Sequence, residues 1–195
     1  MSEKNKLTKS DIVNGAFEVL KESGFSAVNA RSVAKKLGCS TQPIYRFFKN
    51  MSELKDEMTA RAIKEHSERV TKSLSCNDGS RSRYSDYGIG FVRFAEQEKE
   101  LFKFLYIDEK SRLLLTTDVH YDEIIETIKS EYGYDAETAR KIHTDMTFYS
   151  YGLALLFYVG DLKMTDNELI AAFRREFKAL ASLYNSVGNE TCNKQ

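Results

Sequence analysis

Residues 30–49, ARSVAKKLGCSTQPIYRFFK, decide how the rest of the chain is to be understood. Apolar residues recur at helical spacing on both sides of Gly38. Two short helices crossing closely around a tight turn need a small residue at their contact, and Ala34 supplies it. The turn needs a residue that tolerates positive φ, and Gly38 follows four positions later. An aliphatic plug from the second helix completes the junction, and Ile44 stands six positions further on. Val33, Leu37 and Phe47 fill positions expected to face the preceding helix, and Ser40 is the expected cap of the following one. Pro43 falls in that helix's first turn, where no intrahelical N–H bond is lost. Ala34, Gly38 and Ile44 alone also fit an ordinary helical hairpin. Capping, charge and outward polar residues together favour a helix-turn-helix, whose second helix enters the major groove of DNA.

At about 100° per residue, Ile44, Phe47 and Phe48 share an inner face and Gln42 and Arg46 the opposite one. Gln42 and Arg46 are therefore the expected base-reading pair, because Gln suits adenine and Arg suits guanine by bidentate hydrogen bonds. Thr41 and Pro43 complete the base-facing set. Asn29, Arg31, Lys35, Ser40, Tyr45 and Lys49 are the candidates for phosphate contact. The charge agrees in sign. The chain is neutral overall, but residues 1–55 carry ten Lys and Arg against five acids. The remainder is correspondingly acidic, which places a polyanion at the N-terminal end.

Upstream, Thr8-Lys9-Ser10-Asp11 resembles a capping box, and Ile12, Ala16, Val19 and Leu20 form one stripe that Gly24 ends. A helix from Asn29 to Leu37 follows, then one from after Ser40 to near Phe48. A fourth, weakly apolar helix follows Ser52 and runs to about Leu74. Residues 75–85 lack periodicity and predict a loop. Helices are then expected over Tyr84–Gln97, Leu101–Leu115, Asp118–Glu131 and Asp135–Val159, and from Thr165 to about Val187, with frayed residues beyond. With one proline and ten glycines in 195 residues, an all-α fold is expected. Its parts are a three-helix DNA-binding head (residues 1–55) and a larger helical bundle (residues 56–195).

Residues 8–55 resemble the DNA-binding head of the tetracycline-repressor (TetR) family. The resemblance rests on Ala16, Gly24, Asn29 where the family has a Thr cap, Val33-Ala34, Leu37-Gly38-Cys39-Ser40, Ile44-Tyr45 and Phe48. It covers about a quarter of the chain. The family commonly has a phosphate-touching lysine where this chain has Met51, and Lys49 is the candidate replacement. The resemblance implies a two-fold symmetric dimer on a palindromic operator that represses transcription until a small molecule binds its helical body. An activator of the same fold, and a helical adaptor with a protein effector, remain open on the sequence.

In the body, Ile170, Phe173, Phe177, Leu180 and Tyr184 follow a 3, 4, 3, 4 spacing, and the preceding helix is apolar nearly all round from Tyr151 to Tyr158. Leu153, Leu156 and Phe157 are expected to join those five in a four-helix homodimer interface. Residues 84–158 hold nine Tyr and six Phe, an enrichment that suits either a core or a cavity for an apolar or aromatic effector. The candidates to line it are Phe91, Phe94, Phe102, Phe104, Tyr106, Tyr121, Met146 and Tyr149, with His120 and His143 as weaker polar anchors.

Other classes find little footing. No nucleophile–base arrangement or paired carboxylates in an apolar stretch point to an enzyme. Cys39, Cys76 and Cys192 are odd in number and far apart, so no disulfide framework, metal site or cofactor is expected. The start, MSEKNKLTKS, lacks an apolar h-region, and the apolar run from Leu153 to Val159 is too short to cross a bilayer. A cytoplasmic, membrane-free protein is expected.

Overall fold

The computed structural model describes residues 7–75, 82–108 and 120–192, with the side chains of Ser73, Leu74 and residues 186–192 left undescribed. All regular structure among these residues is helical. The helices are α1 (Lys9–Ser23), α2 (Ala30–Lys36), α3 (Gln42–Phe47), α4 (Met51–Ser75), α5 (Arg83–Gln97), α6 (Lys99–Phe102), α7 (Tyr121–Tyr132), α8 (Ala136–Val159) and α9 (Asp166–Cys192). No helix among the described residues is long and apolar enough to cross a membrane.

The ends follow from local chemistry. Thr8 and Asp11 cap α1 reciprocally, Asp11 N–H donating to Thr8 Oγ1 and Thr8 N–H to the Asp11 carboxylate. Gly24 ends the helix at φ 79°. The α2 cap is Asn29, whose Oδ1 accepts from Arg31 and Ser32 N–H. At α9, Thr165 and Glu168 repeat the reciprocal pattern. The sequence missed the cap of α4: Asn50 Oδ1 accepts from Glu53 N–H, so the helix starts at Met51 rather than after Ser52.

Two expectations fail at helix ends. The helix expected over Leu101–Leu115 is a single α turn, Lys99–Phe102, followed by a wider turn over Lys103–Ile107. There Asp108 N–H donates to Lys103 O, five residues back. The change of pitch lets Leu101, Phe102, Phe104 and Leu105 all turn inward while Lys103 stays outside. Asp108 is already extended; residues 109–119 of that expected helix, and of the one placed from Asp118, lie outside the described residues. The last helix runs past Val187 to Cys192. Most of the loop placed over residues 75–85, and Cys76, fall on residues 76–81, which are likewise outside the description.

The described residues form two compact units. One holds residues up to His66 and Glu98–Asp108; the other holds Ser67–Gln97 and residues from 120 onward. The first unit packs Ile12, Ala16, Leu20, Val33, Ile44, Phe48, Leu54 and Met58 into a nearly solvent-free core. In the second, Val92, Ile128, Ala139, Ile142, Ala154 and Leu169 are fully covered by α5, α7, α8 and α9.

Candidate nucleic-acid interface and body cavity

The corner between α2 and α3 is built as its residues demand. Gly38 takes φ 65°, and the Cys39 N–H returns to Ala34 O at 3.0 Å, closing the end of α2. Ala34 and Ile44 are buried, and Phe48 closes the far end of α3 in extended conformation, also buried. With those apolar anchors inward, Gln42 and Arg46, one helical turn apart, are both exposed. Phe47 does not join the inner face. It is half-buried, and the Arg46 guanidinium lies 4.7 Å from its ring centroid. Arg46 as a whole stays exposed beside that ring.

Around that pair, Tyr45, Lys49, Arg31 and Lys35 are exposed and Thr41 and Pro43 half-buried. Lys49 N–H donates to the Glu53 carboxylate, which fixes the chain as it enters α4. Two assignments differ in detail. Ser40 caps nothing: the residue before α3 is Thr41, in helical conformation, and no side chain caps the helix. Asn29 has its oxygen committed to the α2 cap, and its amide donates to Ala27 O. Gly15, which the sequence did not single out, is where α1 admits the end of α2. A Cβ on Gly15 would stand 2.8 Å from Leu37 Cδ2.

The second unit contains a cavity of about 570 Å³, between the start of α5, the α7–α8 turn, the middle of α8 and α9. That is within the range of about 300–1,000 Å³ typical of small-molecule sites. Its apolar walls are Met146, Phe173, Phe177 and Ile170. Phe177 lies edge-on to Tyr84 at 6.0 Å and 4.3 Å from the Tyr132 ring. Tyr84 is buried with its hydroxyl 3.1 Å from His143 Nδ1, and burial pushes that phenol well above its ordinary pKa.

Of the eight residues expected around an effector, Met146 lines this cavity. Phe102, Phe104 and Tyr106 belong to the first unit. There Phe104 stacks on Phe25 at 4.9 Å, and Tyr106 hydroxyl meets His66 Nε2 at 2.9 Å. Phe94 is core, Phe91 is half-buried, and Tyr149 meets the Phe173 ring edge-on. Tyr121 packs beside His143 at 5.6 Å. His143 is at the cavity; His120 instead pairs with Ser67 Oγ and the Glu123 carboxylate. The wall residues Tyr84, Tyr87, Tyr132 and Tyr134 were missed, because an aromatic count cannot tell which rings face inward.

The expected dimer seam is also redistributed. Phe157 and Phe173 are buried within the unit, and Ile170, Phe173 and Phe177 face the cavity. Tyr184 hydroxyl donates to Asp145 at 2.6 Å, and Leu153 and Leu180 are half-buried. Leu156 does stand out at 44% exposure, and Phe148, Val159 and Leu183 are open at 61%, 57% and 53%.

Residues 12–58 match the model of the bacterial regulatory proteins of the tetR family, the stretch that builds α1, the α2–α3 corner and the start of α4. The family match is confined to that stretch, about a quarter of the chain. Solved structures of similar fold extend over both units of the chain. A TetR-family protein from Vibrio parahaemolyticus is 19% identical, with a TM-score of 0.59 over 88% of this chain and 97% of that one. A protein of unknown function from Rhodococcus sp. RHA1 is 16% identical, with a TM-score of 0.70 over 93% of this chain and 100% of the other. A TetR variant from Acinetobacter baumannii AYE, in complex with minocycline, is 18% identical, with a TM-score of 0.56 over 93% and 98%. No curated protein sequence matches the chain.

Proposed function

We propose that the protein is a dimeric, DNA-binding transcriptional repressor whose operator affinity is lowered by a small molecule held in the cavity of the second unit. The observation that carries this reading is the exposed Gln42–Arg46 pair, presented by a short helix whose opposite side, Ile44, is buried. Such a helix offers two bidentate base readers to the major groove, while Arg31, Lys35, Tyr45 and Lys49 flank them for phosphates.

One helix of this length reads only a few base pairs, so affinity calls for two copies on successive major grooves, about 34–36 Å apart. Phe148, Gly152, Leu156 and Val159 recur every three or four residues and form an open stripe on α8. With Leu183 on α9 they are the surface a second copy would cover, which shifts the proposed interface outward from the seam expected on α9. Minocycline in the Acinetobacter protein of like fold makes a ligand-responsive body a reasonable model for this one. A ligand that prefers one conformation of the body lowers DNA affinity by the amount of that preference.

Selection of bound sequences from a random duplex pool tests the reading. Recovery of a two-fold symmetric site supports it, and recovery of an unordered pool, with equal affinity for every sequence, removes it.

A further inference from the structure

The cavity's chemistry is uneven from floor to mouth. Inside, on α8, Thr147 Oγ1 donates to His143 O at 2.7 Å and Ser150 Oγ to Met146 O at 2.6 Å, so neither proton is offered to a guest. Tyr84 hydroxyl is taken up by His143 Nδ1 at 3.1 Å. What the interior presents to a guest is mostly ring face and thioether. At the mouth, two cations of α9, Arg174 and Lys178, stand one helical turn apart and exposed. Neither forms an ion pair among the described residues, and no acid lines the cavity. Glu131, the nearby acid, is occupied by the Arg83 and Tyr84 backbone N–H groups at the start of α5.

We propose that this cavity takes a flat aromatic carboxylate, its ring between Phe173, Phe177 and Met146 and its carboxylate on Arg174 and Lys178. This rests on reading the cavity as the effector site, and it adds the ligand's charge and direction of entry. An uncharged guest would leave two unpaired cations at the mouth, and a cationic guest would be repelled by them. A carboxylate suits a guanidinium bidentately, with the ammonium as a second point charge. The geometry also gives binding a route to control. Ile170, Phe173, Arg174, Phe177 and Lys178 turn one side of α9 to the cavity, while Leu183, on the same helix, lies in the surface proposed for a second copy. A guest that pulls on Arg174 and Lys178 therefore acts on a helix shared with the dimer contact.

The probes are 2-naphthoate and its neutral isostere 2-naphthamide, titrated calorimetrically into the full-length protein. The expected result is a preference of about tenfold for the carboxylate, the scale of a charge-assisted contact. In the double variant Arg174→Gln, Lys178→Gln that preference disappears while naphthamide binding is unchanged. Equal binding of the two probes to the natural protein, or a preference that survives in the double variant, overturns the charge assignment and leaves the cavity reading standing. A separate arm tests the cavity itself with Ala181→Trp, at the half-buried wall, after thermal unfolding shows the variant to be folded. If neither probe binds the natural protein, or if both bind Ala181→Trp as tightly as the natural protein, the cavity is not the site and both readings fall.

Discussion

Leu37 rests on Gly15: a Cβ at Gly15 would meet Leu37 Cδ2 at 2.8 Å and Cγ at 2.9 Å. The contact sets how closely α2 approaches α1, and hence where the following turn delivers α3. In a helix interior Gly→Ala is worth about 1 kcal/mol of propensity, so alanine here gains on one count what it loses on the other. Valine adds two further carbons and β-branching, and overpacking of that kind costs about 1–3 kcal/mol. Gly15→Val is expected to lower the urea midpoint of unfolding and to weaken specific DNA binding. A variant with undiminished stability would show that Leu37 simply turns aside.

Asn29 is predicted to act through stability rather than through phosphate. Its Oδ1 accepts two backbone N–H bonds at the start of α2. Asn29→Ala is expected to cost about 1 kcal/mol, within the range for lost N-caps, and Asn29→Ser to restore most of it. If Asn29→Ala instead leaves the denaturation midpoint in place and lessens the salt dependence of DNA binding, the side chain is a phosphate ligand after all.

Acid should weaken the fold through its helix caps. Backbone N–H donation from Thr8, Thr138 and Thr165 holds the carboxylates of Asp11, Asp135 and Glu168 below their ordinary pKa values. A folded-state pKa below the unfolded one gives stability that is present above the unfolded value. It is lost as pH falls through the folded one. Denaturation midpoints measured from pH 6 to pH 3 should therefore fall, with the drop starting at about pH 4–5, near ordinary carboxylate pKa values. The triple variant Asp11→Asn, Asp135→Asn, Glu168→Gln should show a shallower fall. An equal slope in both proteins would place the acid sensitivity elsewhere.

The open stripe on α8 predicts the oligomeric state. Phe148→Glu with Leu156→Glu puts two charges into a surface that a second copy would desolvate. Light scattering should then report a dimer for the natural protein and a monomer for the variant, with helicity retained. A natural protein that is monomeric at micromolar concentration would exclude the interface.

The head was nearly all legible in the sequence. Its elements are short and punctuated by residues with one task each, and Thr8, Gly24, Asn29 and Gly38 stand where those tasks require. The exceptions were Gly15 and the Asn50 cap, which no motif marked, Ser40, which no spacing rule separates from Thr41, and Phe47, which the wheel turned inward and the fold leaves half-buried beside the Arg46 guanidinium. The body was legible as helices and much less so as surfaces. Phe173 and Leu156 are both apolar residues in periodic stripes, yet one is buried under Gly88 and the other is exposed. Periodicity tells which residues share a helix face but not which neighbour covers that face. The aromatic enrichment misled for the same reason, since Phe104 and Tyr84 count equally and pack in different units.

The central claim is that Gln42 and Arg46 read bases. The direct measurement is the affinity of the natural protein, Gln42→Ala and Arg46→Ala for a selected site and for every single-base change in it. Each variant should lose about 1–3 kcal/mol on the selected site and lose discrimination at one position per half-site. Lys49→Ala should weaken all sequences alike and reduce the salt slope by about one unit. If Gln42→Ala and Arg46→Ala bind the selected site as tightly and as selectively as the natural protein, the exposed face of α3 does not read DNA.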